Sequence, residues 1–295
     1  MAAPRMHADE LPIDAALVRR LLDAQFSEWA GLPLEPVRYF GTDNAIYRVG
    51  DELAVRLPRR EHNVRALRKE LRWLPELAPL LPLAVPEPVA EGRPGEGYPL
   101  EWAVFRWLPG EPAYETAPDD PRPELAALLA AFRAIDLPDG PTPGRHSTSR
   151  GAPLGPGDEM VRARIAELGL EREALPVWEA ALAAGEWEGE PVWLHGDLDV
   201  RNLLVTDGRL SGVVDFGTLG IGDPAADVMV AWKMLSRPAR ELFRRELEID
   251  DATWARSRGL TLAQAANALG YYTDENNPIL VSEARRWLEV VLADD

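Results

Sequence analysis

The stretch Val192–Trp232, VWLHGDLDVRNLLVTDGRLSGVVDFGTLGIGDPAADVMVAW, gathers oxygen-bearing side chains at short spacing. Asp197 and Asn202 lie five residues apart in a loop between two apolar runs. Asp215 follows an expected strand, Leu210–Val214, and Gly217 gives the backbone freedom to turn away. Two carboxylates and an amide at one end of a sheet form an oxygen-only donor set of the kind Mg²⁺ takes. A carboxylate left over can accept a hydroxyl proton. Phosphoryl transfer needs that combination: cations over the phosphates, a hydroxyl oriented in line, and an acceptor for its proton. Taken singly, an acid in a strand-to-loop turn is most often a cap or turn former. The composite is less accidental: H-G-D-L-x-x-x-N, then D-F-G thirteen residues after the Asn, then G-D-P-A-x-D.

The elements that must position these groups can be read from periodicity. A helix is expected from Asp14 to Trp29, with Asp14 as N-cap and Leu17, Leu21, Leu22 and Phe26 on one face. Three short strands follow at Val37–Phe40, Ala45–Val49 and Leu53–Leu57, separated by the turn sequences Gly41-Thr42-Asp43-Asn44 and Gly50-Asp51-Glu52. A helix over Glu61–Leu77 and apolar runs near Val89 and across Tyr98–Trp107 complete a small β-rich lobe that ends at the hinge Pro109-Gly110. Beyond it, helices are expected at Pro123–Ile135, Asp158–Leu168, Leu175–Ala184, from Asp223-Pro224 through Leu235, and in three closing stretches that include 251–270 and 278–292. The expected domains are 1–107, with a hinge at about 104–110, and 108–295.

Composition removes several alternatives. The 295 residues suffice for two domains, and 32 basic against 49 acidic side chains give a net charge of −17. Such a chain repels nucleic acid and anionic lipid, so neither is an expected partner. Zero Cys excludes disulfides, iron–sulfur clusters and thiolate zinc sites. The amino terminus has no apolar run of signal-peptide length before its acids begin, and no stretch reaches the ~20 apolar residues of a membrane span. A cytoplasmic protein is expected. The charge is uneven: residues 1–107 hold 14 basic and 16 acidic side chains, net −2, and the remaining 18 and 33 give −15. That asymmetry reads either as a solvated surface or as a second lobe that attracts cations.

The 192–232 block resembles the catalytic core of the aminoglycoside phosphotransferase family, small-molecule kinases with the protein-kinase-like fold. The resemblance implies an α+β, bilobal protein-kinase-like fold with a β-rich N-lobe and a larger helical C-lobe. It makes Asp197 the catalytic base, Asn202 and Asp215 the Mg²⁺ ligands, and His195 and Asp223 structural supports of the catalytic loop. Gly196 stands where protein kinases have arginine; Asp199 and Arg201 occupy variable positions, and Arg201 would approach the γ-phosphate or face solvent, the latter favoured. Gly41, Thr42, Asp43 and Asn44 resemble the phosphate-covering loop, without the full G-x-G-x-x-G. Arg56 replaces the third-strand lysine and would pair with Glu70. The segment Val104–Leu108, with Val104, Phe105, Arg106 and Trp107, would hold the base of ATP or GTP through its backbone, with Trp102 or Trp107 beside it.

The implied activity is transfer of a γ-phosphate to a hydroxyl of a small, cationic acceptor such as an aminoglycoside. A macrolide, another hydroxyl metabolite, or a nucleotide-binding pseudokinase remain as alternatives; the last rests on Arg56. Trp254, Tyr271, Tyr272, Asp274 and Glu275 are candidates for the acceptor pocket. Gly220-Ile221-Gly222-Asp223-Pro224-Ala225 also satisfies the dinucleotide fingerprint G-x-G-x-x-A. No early β-α-β unit surrounds it, and no Walker A loop or nucleophile elbow occurs.

Overall fold

The computed structural model describes residues 10–37, 43–144 and 149–293. The chain divides into two compact units, Met1–Gly110 with Ser211–Gly217, and Glu111–Leu210 with Thr218–Asp295. Asp215 therefore groups with the first unit.

The first unit is built on an antiparallel sheet. Helix α1 (Ala15–Gln25) starts at Asp14, whose carboxylate accepts from the Leu17 N–H at 2.8 Å. Strands β1 (Leu34–Pro36), β2 (Asn44–Val49) and β3 (Leu53–Pro58), helix α2 (Val64–Leu77), and strands β4 (Pro88–Gly92) and β5 (Trp102–Arg106) follow. The strand order is β1-β2-β3-β5-β4, with Arg56 of β3 between Ile46 and Ala103. The first described strand is Leu34–Pro36, ahead of the expected 37–40. It pairs with Val49, Arg48 and Tyr47 at the sheet edge, where proline is tolerated. Residues 38–40 lie outside the described residues. Leu17, Val18, Leu21 and Leu22 of α1 pack on Tyr47, Val55, Trp102 and Val104, so the helix stripe of period 3.6 meets one face of the sheet. Trp102 is fully buried and donates its indole N–H to the Arg93 carbonyl at 3.0 Å; it belongs to this core and not to a ligand pocket.

The second unit is mainly helical. It contains β6 (Glu111–Pro112), α3 (Arg122–Ala134), α4 (Asp158–Glu167), α5 (Glu171–Ala183), β7 (Val192–Leu194) and β8 (Leu203–Thr206). Strand β9 (Arg209–Val213) carries the chain into the first unit, and β10 (Gly220–Gly222) brings it back. Helices α6 (Ala225–Val228), α7 (Val230–Met234), α8 (Arg237–Glu246), α9 (Asp251–Tyr271) and α10 (Pro278–Ala293) complete it. Trp178, Trp232, Leu262 and Trp287 form the centre of a core shared by α4, α5, α7, α9 and α10.

The dinucleotide-like Gly220-Ile221-Gly222 is a strand paired with β7, not a phosphate loop. A Cβ on Gly220 would stand 2.7 Å from the Pro141 carbonyl oxygen, and one on Gly222 2.5 Å from that of Gly151. These glycines permit close backbone approach, sealed by Ile221 N–H to Pro141 O and Asp223 N–H to Gly151 O.

Candidate active site

In the second unit the catalytic-loop segment begins where β7 delivers His195 into the interior, fully buried. The next residue, Gly196, has φ +84°, a conformation that favours glycine and turns the chain sharply. Both N–H groups at this turn point to one carboxylate: His195 N donates to Asp227 Oδ2 at 2.8 Å and Gly196 N to Asp227 Oδ1 at 2.7 Å. Burial raises the Asp227 pKa, and the neighbouring His195 and the two backbone donors oppose that rise. Thr218 Oγ1 donates to the His195 carbonyl at 2.7 Å, and the Asp197 N–H donates to His195 Nδ1 at 3.2 Å. His195 thus fixes the backbone of the residue that follows the turn.

The Asp197 carboxylate emerges from this frame with every neighbour a donor. Gln264 Nε2 of α9 donates to its Oδ1 at 2.9 Å, and Arg150 Nη2 lies 3.7 Å from the same oxygen. Arg201 Nη2 lies 3.6 Å from Oδ2, and Asn202 Nδ2 is 2.8 Å from the Asp197 carbonyl. Burial works to raise the Asp197 pKa, but Arg201, Lys233, Arg150 and the Gln264 hydrogen bond outweigh it. They hold the group below the usual carboxylate range. Asp197 is therefore an oriented, ionised acceptor. With its amide N–H₂ turned to Asp197, Asn202 has its oxygen as the remaining donor atom for a cation.

Other placements differ from expectation. Asp223 is ion-paired with Arg256 (Oδ2–Nε 2.6 Å) and accepts from the Ala225 N–H at 2.9 Å; the carboxylate that braces the loop is Asp227. Arg201 does not face solvent: it clamps the fully buried Asp199, with Nε 3.0 Å from Oδ1. Lys233, also fully buried, donates to the Leu198 carbonyl at 3.2 Å and lies 4.0 Å from Asp199. Burial pushes its pKa down to about 8, against the pull of Asp199 and Asp197. Of the acceptor-pocket candidates, Trp254 packs on Trp232, Tyr271 stacks edge-on with Tyr272, and Asp274 pairs with Arg285 at 2.8 Å. Glu275 is exposed.

In the first unit Arg56 and Glu70 form a two-point ion pair, Nη1–Oε2 2.6 Å and Nη2–Oε1 3.2 Å, with both side chains buried. The planar guanidinium makes the fork that a lysine ammonium could not. Burial raises the Glu70 pKa, opposed by Arg56 and reinforced by Asp215. Lys69 is also buried, and desolvation pushes it down to about 8 against the attraction of Glu70 and Asp215. Asp215 follows β9 in a left-handed conformation, φ +62°, a backbone that a non-glycine residue adopts at a cost and that clusters at functional sites. Its Oδ1 faces the Gly217 N–H at 3.4 Å.

The remaining nucleotide-site expectations divide. Gly41 and Thr42 lie outside the described residues; Asp43 approaches Arg60 at 3.9 Å, and Asn44 begins β2. Val104 and Phe105 are sheet residues facing Val55 and Ala54. The Arg106 N–H is bound to Glu87 O and the Trp107 N–H to Glu52 O, each at 2.8 Å, so neither amide is free for a base. Trp107 instead lies under the Arg48 guanidinium, 5.1 Å away.

Among the described residues no three or more His, Cys, Asp or Glu side chains cluster to hold a metal. Asn202 and Asp215 offer hard oxygen donors, and Mg²⁺ commonly takes only one or two protein groups, completing its shell with water and phosphate. The donor chemistry fits. No described helix is long and apolar enough to cross a membrane.

The sequence of residues 36–260 matches the model of the phosphotransferase enzyme family. An aminoglycoside 3'-phosphotransferase of Escherichia coli is 30% identical over 143 residues, 45% of this chain and 52% of that protein. One from Streptomyces fradiae is 28% identical over 165 residues, 52% of this chain and 56% of that protein. The chain thus spans about half the length of the curated relatives it matches. An aminoglycoside 2'-phosphotransferase-IIIa mutant in its GDP complex superposes with a TM-score of 0.73 at 18% identity, covering 95% of this chain and 98% of that one. A macrolide 2'-phosphotransferase from Brachybacterium faecium gives 0.57 at 23% identity, covering 90% and 98%. These structures share the α+β kinase-like fold.

Proposed function

The chain belongs to the phosphotransferase enzyme family, and on that basis we propose that it transfers the γ-phosphate of ATP or GTP to a hydroxyl of a small molecule, with aminoglycosides the first acceptors to test. The observation that carries the reading is Asp197: an ionised carboxylate, oriented from four sides, on a turn locked by Asp227. One Asp197 oxygen accepts the proton of the acceptor hydroxyl as that oxygen bonds to phosphorus and the nucleoside diphosphate leaves. An acid held below its usual range is a weak base, so orientation of the nucleophile is the larger part of its contribution.

Asn202 and Asp215 are the proposed holders of Mg²⁺, which when bound neutralises charge on the phosphates. The Arg56–Glu70 pair, rigid and buried, presents guanidinium charge to the nucleotide. The intact pair favours an enzyme over a pseudokinase. The −15 net charge of residues 108–295 supports a cationic acceptor, and GTP as well as ATP is an expected donor. The test is release of nucleoside diphosphate across kanamycin, gentamicin, streptomycin, a macrolide and simple amino alcohols, followed by location of the phosphate on any product. Acceptor-dependent release with either nucleotide supports the reading. Its absence with every acceptor overturns it.

A further inference from the structure

Gln264 is 67 residues away from Asp197 in sequence and lies on a different element, α9, yet its amide reaches the Asp197 carboxylate. Only half of that amide is used. Nε2 donates to Asp197 Oδ1, whereas Oε1 is buried with no hydrogen-bond partner. A buried acceptor without a partner is unfavourable, so the fold carries it at a penalty unless a ligand supplies the donor. The oxygen and nitrogen of one amide sit side by side. Both are bonded to one carbon, so the unpartnered oxygen is next to the nitrogen that meets Asp197.

The charge around this point selects the donor. Arg150 and Arg201 stand 3.7 and 3.6 Å from the same carboxylate, and Lys233 also acts on it. Against these three cations stand Asp197 and the Asp199 beneath it. A neutral donor fits the Gln264 oxygen better than an ammonium ion, and a neutral amide in place of an acid adds no attraction for a cation. We propose that Gln264 reads a hydroxyl on the carbon next to the reacting one, so that the group phosphorylated is one member of a vicinal diol. The cationic groups of an acceptor are then met elsewhere on the second unit.

This inference rests on the phosphotransfer reading, and the experiment separates the two. The acceptor turned over fastest among kanamycin, gentamicin, streptomycin, the macrolide and the amino alcohols is compared with two counterparts. In one the hydroxyl adjacent to the phosphorylated position is replaced by hydrogen, in the other by an amine. Wild-type protein is expected to lose about 10- to 100-fold in kcat/KM with the deoxy compound, and the amine is expected not to restore it. Gln264→Met is expected to show a similar loss with the parent acceptor and indifference to the deoxy change, while nucleotide affinity stays at the wild-type value.

Gln264→Glu guards against a purely structural effect. It keeps the acceptor oxygen, so it should still prefer the parent over the deoxy compound. Its new charge beside Asp197 should shift the acid limb of kcat/KM to higher pH. The proposal is overturned if the losses from Gln264→Met and the deoxy change simply multiply, if the phosphate is found on a hydroxyl with no hydroxyl neighbour, or if the amine fully restores activity. A wild-type protein that phosphorylates none of the aminoglycosides, the macrolide or the amino alcohols overturns the phosphotransfer reading, and this inference falls with it.

Discussion

Replacing Asp227 by Asn separates the loop's geometry from its stability. The side chain keeps its shape, but the amide offers one acceptor and one donor where the native carboxylate accepts from both His195 N and Gly196 N, at 2.8 and 2.7 Å. One buried N–H then faces an NH₂ group, a loss of about 1.5–3 kcal/mol for a hydrogen bond to a charged group. Opposing it, burial raises the Asp227 pKa, so the variant is relieved of a buried charge. The net destabilisation expected for Asp227→Asn is about 1–2 kcal/mol. Asp227→Ala leaves both N–H groups without a partner and is expected to cost about 2–6 kcal/mol. The effect on rate is larger in proportion, because Asp197 is two residues beyond the turn and a misplacement of ~1 Å costs about 100-fold. Urea denaturation gives the first quantity and acceptor-dependent nucleoside-diphosphate release the second. An Asp227→Asn protein with wild-type kcat and reduced stability would refute the view that this carboxylate positions Asp197.

The remaining predictions concern buried charges. Arg56→Ala leaves Glu70 buried without its partner, a loss of about 3–5 kcal/mol. The Glu70 pKa is already raised by burial, and a group of raised pKa contributes stability at low pH and loses it as pH climbs. The variant's denaturation midpoint should therefore fall more steeply than that of the wild type as pH rises above the ordinary carboxylate range. Lys233 titrates at about 8 in the folded protein against an ordinary 10.5, so between those values the unfolded chain binds more protons and stability rises with pH. Lys233→Met should reduce that rise by up to about 1.4 kcal/mol per pH unit, measured from urea midpoints between pH 8 and 10.

Much of the scaffold was legible because each element announced itself locally. Asp14 capped the first helix, the leucine stripe of α2 carried period 3.6, and the glycine-bearing turns separated β2 from β3. The 192–232 block was legible as chemistry because its motif residues are close in sequence. What escaped were choices settled by distant partners. Asp223 and Asp227 sit four residues apart in the same motif, and which one faces the loop depends on Arg256 of α9 claiming the first. Gln264 carries no local signal at all; only the packing of α9 brings it to Asp197. The strand at Leu34–Pro36 was not expected, because an edge strand tolerates a proline that a central strand would not. An apolar run also does not reveal which N–H groups a neighbouring strand or turn takes, as at Arg106 and Trp107.

The central claim is that Asp197 accepts or orients the acceptor's hydroxyl proton. Asp197→Asn preserves the side chain's size and tests it most directly, in acceptor-dependent nucleoside-diphosphate release under single-turnover conditions with nucleotide affinity measured alongside. The account predicts a fall of about 10²- to 10⁴-fold in the transfer rate with nucleotide affinity unchanged. Transfer at the wild-type rate would contradict it.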